Sequence, residues 1–153
     1  MVAECLQAYV ASIRADHRHQ GSLVHHLRSA LASGAVSNWN QASVQQIIIS
    51  LDALLAHLGY HFAREEEGGY LEEALVHAPR FQARASQLMA EHPSLLKQFA
   101  ALVTTAKNTS QQKAPWPSVA NDLNKAIDEL VGHELRENQL LQEAFAADLN
   151  LDE

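Results

Sequence analysis

Three clusters of helix-breaking residues divide this chain into four segments of comparable length, and that division constrains the fold more than any other feature. The first cluster is Ala32-Ser33-Gly34-Ala35-Val36-Ser37-Asn38, a glycine stop followed by Ser and Asn starts. The second begins at Gly68-Gly69 and extends to Pro79. The third runs from Asn108-Thr109-Ser110-Gln111-Gln112 through Pro115-Trp116-Pro117-Ser118. The segments between them predict helices over about 4–33, 40–67, 80–108 and 118–147, with a short extra turn or helix expected within 70–78.

Each segment carries an apolar stripe that steps by three and four residues, the spacing of one helix face. The first reads Leu6, Val10, Ile13, His17, Gln20, Val24, Leu27, Leu31. The second reads Val44, Ile47, Leu51, Leu54, Leu58, His61, Glu65. The third is Phe81, Ala85, Leu88, His92, Leu95, Phe99, Leu102, Ala106, and the fourth is Val119, Leu123, Ala126, Leu130, His133, Glu137, Leu140, Ala144. Four striped helices on moderate loops predict an all-α, up-down-up-down antiparallel four-helix bundle. The 153 residues suffice for one domain, residues 1–153, around one core.

Composition removes several function classes. A net charge of −7 without any Lys/Arg cluster argues against nucleic acid or an anionic membrane as partner. The most apolar run, Ile47 to Leu58, is broken by Ser50, Asp52 and His57, so no unbroken stretch approaches the roughly 18 residues of a membrane span. The N-terminus lacks the basic start and apolar stretch of a signal peptide. Cys5 is alone, which excludes an internal disulfide and fits a reducing compartment; the cytoplasm is the expected location.

The stripes contain residues of the wrong type for a core. Each of the four holds a histidine, and the second and fourth add a glutamate four residues later. A buried polar group without a partner costs about 1–3 kcal/mol, and a buried carboxylate more. Six would threaten a domain whose whole stability is about 5–15 kcal/mol, so they must satisfy one another or share a cation. At 1.5 Å rise per residue, His92 and His133 both lie roughly 24 Å from the third-to-fourth connection. His17 lies about 24 Å from the first turn and His61 about 31 Å, whereas His25 and His26 lie only about 11–12 Å from it and beside the stripe. His17 is therefore the better ligand candidate. An i, i+4 His/Glu pair presents both side chains on one face, and imidazole with carboxylate favours iron, zinc or manganese over calcium or magnesium. Thiolate zinc sites are impossible with one cysteine.

His61-Phe-Ala-Arg-Glu65 and His133-Glu-Leu-Arg-Glu137, with His17 upstream and His92 between, resemble the haemerythrin family, specifically its HHE cation-binding branch. The flanking Glu66-Glu67-Gly68-Gly69-Tyr70-Leu71, Glu91-His92 and Glu137-Asn138-Gln139-Leu140-Leu141-Gln142-Glu143-Ala144-Phe145 extend the resemblance over essentially the whole chain. It implies a non-haem di-iron centre with two Fe ions. His17 and His61 would serve one iron, His92 and His133 the other, and Glu65 and Glu137 would bridge them.

The sequence departs from the oxygen-carrying haemerythrins. Those have a second histidine four positions from the first on the third helix, where Leu88 and Leu96 stand here. They also have an aspartate five residues after the last histidine, where this chain has Asn138. The expected function is binding, sensing or reaction with oxygen, peroxide or nitric oxide, in preference to reversible oxygen carriage. The alternative is a metal-stabilised, iron- or oxygen-responsive module without turnover. No protein partner is indicated. The Glu-x-x-His order of ferritin-like bundles is absent from the inward pairs. His19, His25, His26, His57 and His77 are expected to be solvated or structural, and Glu66, Glu67, Glu72 and Glu73 to form an acidic solvated face. Gln20 is a candidate hydrogen-bonding partner near His17, and Trp39 and Trp116 are expected to cap the bundle ends.

Overall fold

The computed structural model describes residues 2–67, 79–110 and 116–151. Four long helices account for nearly all of it: α1 (Val2–Val36), α2 (Gln41–Glu67), α3 (Gln82–Thr109) and α4 (Trp116–Leu151), with a 3₁₀ turn at Pro79–Phe81 before α3. Each helix packs on the next and α4 returns to α1, closing an antiparallel four-helix bundle. The α1–α4 side is the least tightly packed. The extra turn or helix expected within 70–78 lies outside the described residues, as do Glu72, Glu73 and His77.

Most helix ends shift by one to four residues from the expectation, and the end of α1 matters for the site. α1 runs on to Val36 because Gly34 does not stop it; the stop comes at Asn38 and Trp39, both at positive φ (51° and 58°). His17 is then 19 residues before the end of α1, and His61 is 20 residues after the start of α2. At 1.5 Å per residue they lie about 28 Å and about 30 Å from the turn, so the looser match of the sequence estimate disappears. His92 and His133 are each 17 residues from the α3–α4 connection, about 26 Å on both sides.

The stripes become the core. All the described stripe residues of α1, α2 and α4 are buried. On α3 the face drifts: Val103 is buried where Leu102 was expected, and Leu102 packs at the margin. Steps of four then three, Phe99 to Val103 to Ala106, follow the helix pitch as well as the reverse order does, and neighbour contact decides between them. α3 also contains Pro93, which has no N–H for the carbonyl of Met89; its ring faces solvent.

The apolar core is in two parts. The larger surrounds Leu27, Leu51, Leu54, Phe99, Leu123 and Leu130, towards the α1–α2 turn. The smaller joins Ile13, Phe81, Ala85, Leu88, Leu140 and Ala144 at the other end. Between them lies a polar layer. At the turn end Trp39 stacks on buried Trp116, ring centroids 5.9 Å apart and planes 19° from parallel, so the two tryptophans close that end together.

Among the described residues α2 is the one helix long and apolar enough to cross a bilayer, with a mean hydropathy of 1.3 over its best window. Ser50, Asp52 and His57 interrupt its apolar run without removing its apolar average. In the bundle its apolar stripe is buried against α1 and α3.

Candidate metal centre

The polar layer contains all six sequence-predicted site residues, one histidine from each helix and a glutamate from α2 and α4, all of them buried. His17, His61, Glu65 and Glu137 each bring a donor atom to within 4.8 Å of the others. His92, His133 and Glu137 do the same, so Glu137 belongs to both groups. Its Oε1 lies 3.7 Å from His17 Nε2 and its Oε2 3.6 Å from His133 Nε2. Glu65 also straddles the layer: Oε1 touches His61 Nε2, and Oε2 is 3.4 Å from His92 Nε2. Each carboxylate thus turns one oxygen to each histidine pair.

The orientation of every imidazole is fixed from behind. The Nδ1–H of His17 donates to Asn138 Oδ1 at 2.8 Å, that of His61 to Asp16 Oδ2 at 3.2 Å, that of His92 to Glu66 Oε1 at 3.0 Å, and that of His133 to Glu91 Oε2 at 2.8 Å. The acceptors run round the bundle as a closed ring. α1 holds the histidine of α2, α2 that of α3, α3 that of α4, and α4 that of α1. With each proton placed on Nδ1, all four Nε2 atoms carry lone pairs and face the centre.

That arrangement is costly without a cation. His92 Nε2 and His133 Nε2 are 3.2 Å apart, and neither has a proton to give the other. His17 Nε2 and both Glu65 oxygens are buried without a hydrogen-bond partner. Burial pushes Glu65 up to about 8. Burial, then the Glu65 carboxylate, pushes Glu137 well above the ordinary carboxylate range. His17 and His92 are lowered to about 4, and His133 is lowered, again chiefly by burial. Converging lone pairs, orphaned carboxylate oxygens and the lowered proton affinity of His17, His92 and His133 suit this layer to a cation.

The chain matches the family model of the Hemerythrin HHE cation binding domain over residues 9–145. It belongs to the haemerythrin HHE family. No curated protein and no solved structure gave a match. The match spans all four helices and every residue of the polar layer.

The donor set of this haemerythrin-domain protein fits metal ions. Two nitrogens bonded at about 2.1 Å to one ion, at an angle near 100°, lie about 3.2 Å apart. The His92–His133 separation has that value. His17 and His61, edge to face with ring centroids 5.0 Å apart, form the corresponding pair on the other side.

The acceptors behind the histidines were mostly missed in the sequence. Asp16 and Glu91 immediately precede His17 and His92, and Glu66 and Asn138 immediately follow Glu65 and Glu137. That adjacency was the available signal. Glu66 is exposed, as expected of a solvated face, and its carboxylate also accepts from His92, because the residue beside Glu65 points along the seam to the next helix. Gln20 is buried as expected of a polar seam residue, but its Nε2 donates to Glu134 Oε2 at 3.1 Å, not to His17. His57, expected to be solvated or structural, is half-buried and stacks on His61 at 5.7 Å, planes 7° apart. His19, His25 and His26 are exposed and stand outside the layer.

Two arginines complete the frame. Arg64 donates to Asp16 Oδ2 at 2.8 Å and to Ser12 Oγ. Arg136 holds both oxygens of Glu91, at 2.5 and 2.9 Å, and keeps that carboxyl below its usual range. On the α1–α4 side a groove of about 700 Å³, lined by Arg14, Arg18, Glu134, Leu135 and Gln139, reaches His17 and Asn138. His17, at 7% exposed, is the most accessible of the six site residues.

Proposed function

We propose that this protein is a non-haem di-iron protein that binds, senses or reacts with oxygen or a related small molecule such as peroxide or nitric oxide. The observation that carries the reading is the pair of carboxylates, Glu65 and Glu137, each turning one oxygen to each of two imidazole pairs. Such a donor set suits two ions side by side, with His17 and His61 on one, His92 and His133 on the other, and both glutamates between them. Four imidazoles and two carboxylates favour iron, zinc or manganese over calcium or magnesium, and family membership supports iron among them. Bound there, an iron pair supplies redox chemistry and coordination positions for a small ligand.

The chain's own residues supply the remainder. The four Nδ1 acceptors hold the imidazoles in the tautomer a metal needs. The two apolar clusters close the layer from above and below and keep bulk water out. The α1–α4 groove gives a small molecule its approach on the His17 side. With two histidines per ion, fewer nitrogen ligands are present than in the oxygen carriers, which favours reactivity or sensing over reversible carriage.

Metal analysis of protein expressed in iron-supplemented medium tests the reading. About two irons per chain are expected, with oxo-bridged absorption in the near ultraviolet. Protein that contains no transition metal under those conditions refutes it. Rapid, repeated turnover of oxygen or peroxide by the reduced protein marks an enzyme. Stoichiometric reaction with a change in helix content or protease resistance marks a sensor module.

A further inference from the structure

Both five-residue motifs, His61-Phe-Ala-Arg-Glu65 and His133-Glu-Leu-Arg-Glu137, have an arginine at the fourth position. In a helix the first and fifth residues share the inner face, while the fourth flanks them and reaches along the neighbouring helix. Arg64 reaches α1 and Arg136 reaches α3, and there each does the same thing. Arg64 grips Asp16, the acceptor behind His61 of its own motif. Arg136 grips Glu91, the acceptor behind His133 of its own motif. Each chain of contacts runs from guanidinium to carboxylate to imidazole, within one antiparallel hairpin, α1–α2 or α3–α4.

The other two histidines lack this support. His92 leans on Glu66, a carboxylate that is about half exposed and has no arginine partner in the described structure. His17 leans on the neutral amide of Asn138. Every proposed metal position therefore has one braced imidazole, His61 or His133, and one unbraced, His17 or His92. We infer that Arg64 and Arg136 are positioning residues, one for each metal, which set how firmly that metal is held by fixing a single imidazole through Asp16 or Glu91. The inference rests on the two-metal reading and adds a division of labour to it.

The physical reason is orientation together with basicity. A carboxylate behind Nδ1 raises the donor strength of Nε2, and it does so only while it stays in line with the ring. Asp16 and Glu91 are side chains near the surface, free to swing into water unless gripped. Arg136 grips with two parallel bonds, which fixes the carboxylate plane. Arg64 uses one bond to Asp16 and anchors its second nitrogen on Ser12. Lysine can replace one bond but not a fork, so the two positions should differ in their tolerance of it.

The test is release of Fe²⁺ from anaerobically loaded full-length protein to an excess of a coloured ferrous chelator, followed by absorbance. Wild type should release two equivalents slowly. Arg64→Ala and Arg136→Ala should each release one equivalent at least 10-fold faster and leave the other at the wild-type rate, and the double variant should release both fast. Arg64→Lys should recover most of the wild-type rate and Arg136→Lys little. In metal-free protein the Nδ1–H resonance of His61 should be lost or shifted in Arg64→Ala, and that of His133 in Arg136→Ala, with helix content unchanged. Wild type with two irons and variants that release both at the wild-type rate, or both equally fast, overturns the anchoring role alone. Wild type that takes up no iron overturns the two-metal reading, and the anchors with it.

Discussion

The ring of Phe62 lies face to face with the imidazole of His92, centroids 3.8 Å apart and planes 3° from parallel. The same phenyl meets His133 edge-on at 5.8 Å. Phe62 comes directly after His61 in the chain, so α2 places one imidazole in one pair and an apolar wall against the other. The wall is fully part of the large apolar cluster, which ties the polar layer mechanically to the core. Truncation of Phe62 to Ala should cost about 3–5 kcal/mol in metal-free protein, measured by denaturant unfolding, with Leu recovering most of the loss. A cost below about 1 kcal/mol would show that the stacked contact is not formed in solution.

Glu137 stands in both candidate donor groups, whereas His17 stands in one. Substitution of Glu137 by Ala should therefore abolish binding of both ions, and His17→Ala should leave about one ion per chain. Elemental analysis after iron loading distinguishes the two. Equal loss from both variants would contradict the division of the histidines into pairs.

The stability of metal-free protein should depend on pH in a way that metal removes. Glu65 binds its proton up to about pH 8 when folded but only up to about 4.5 when unfolded, and Glu137 is shifted in the same direction. The folded state holds more protons between those values, so these groups lose stability as pH rises through that window. His17 and His92 act oppositely. They are lowered to about 4 from 6.5, so their contribution is lost as pH falls from 6.5 towards 4. Above pH 6.5 the histidine contribution fades, and Glu65, Glu137 and Glu134, the last pushed up to about 7 by burial, set the slope. The melting temperature of metal-free protein should fall from pH 6.5 to 8, and Glu65→Gln should flatten that slope. In the loaded protein the sign should reverse, because protons and cations compete for the same oxygens.

A Cβ on Gly34 would lie 2.5 and 2.6 Å from two ring carbons of Trp39, which is pinned by its positive φ and its stack on Trp116. Gly34→Ala should cost about 1–3 kcal/mol, read as a lowered Tm, without changing metal stoichiometry. This end of the bundle is distant from the histidine layer, so an accompanying loss of metal would show that the two ends are coupled.

The stripes made much of this architecture legible. Ile13, Leu27, Leu51, Leu58, Leu123 and Leu130 are buried where the three- and four-residue steps put them. Leu102 gave way to Val103 because either lies on the inner half of α3, and only contact with neighbours selects one. The continuation of α1 past Gly34 escaped because glycine is tolerated inside a helix when a large ring fills the space beside it. The hydrogen bond from His92 to Glu66 escaped because nothing along one helix reveals what stands across from it, whereas the stack of His57 on His61 joins residues four apart on α2 and was available from their spacing.

The sequence by itself determined the four-helix division, the inward faces, and which histidines and glutamates those faces contain, since periodicity is a property of a single helix. Only the tertiary structure decided that the six side chains meet in one layer and which oxygens turn to which imidazoles. It also decided that Asp16, Glu66, Glu91 and Asn138 close a ring behind the histidines. Those facts depend on the relative height and rotation of four helices. An ångström of slide or a few tens of degrees of rotation would separate the pairs while leaving every stripe intact.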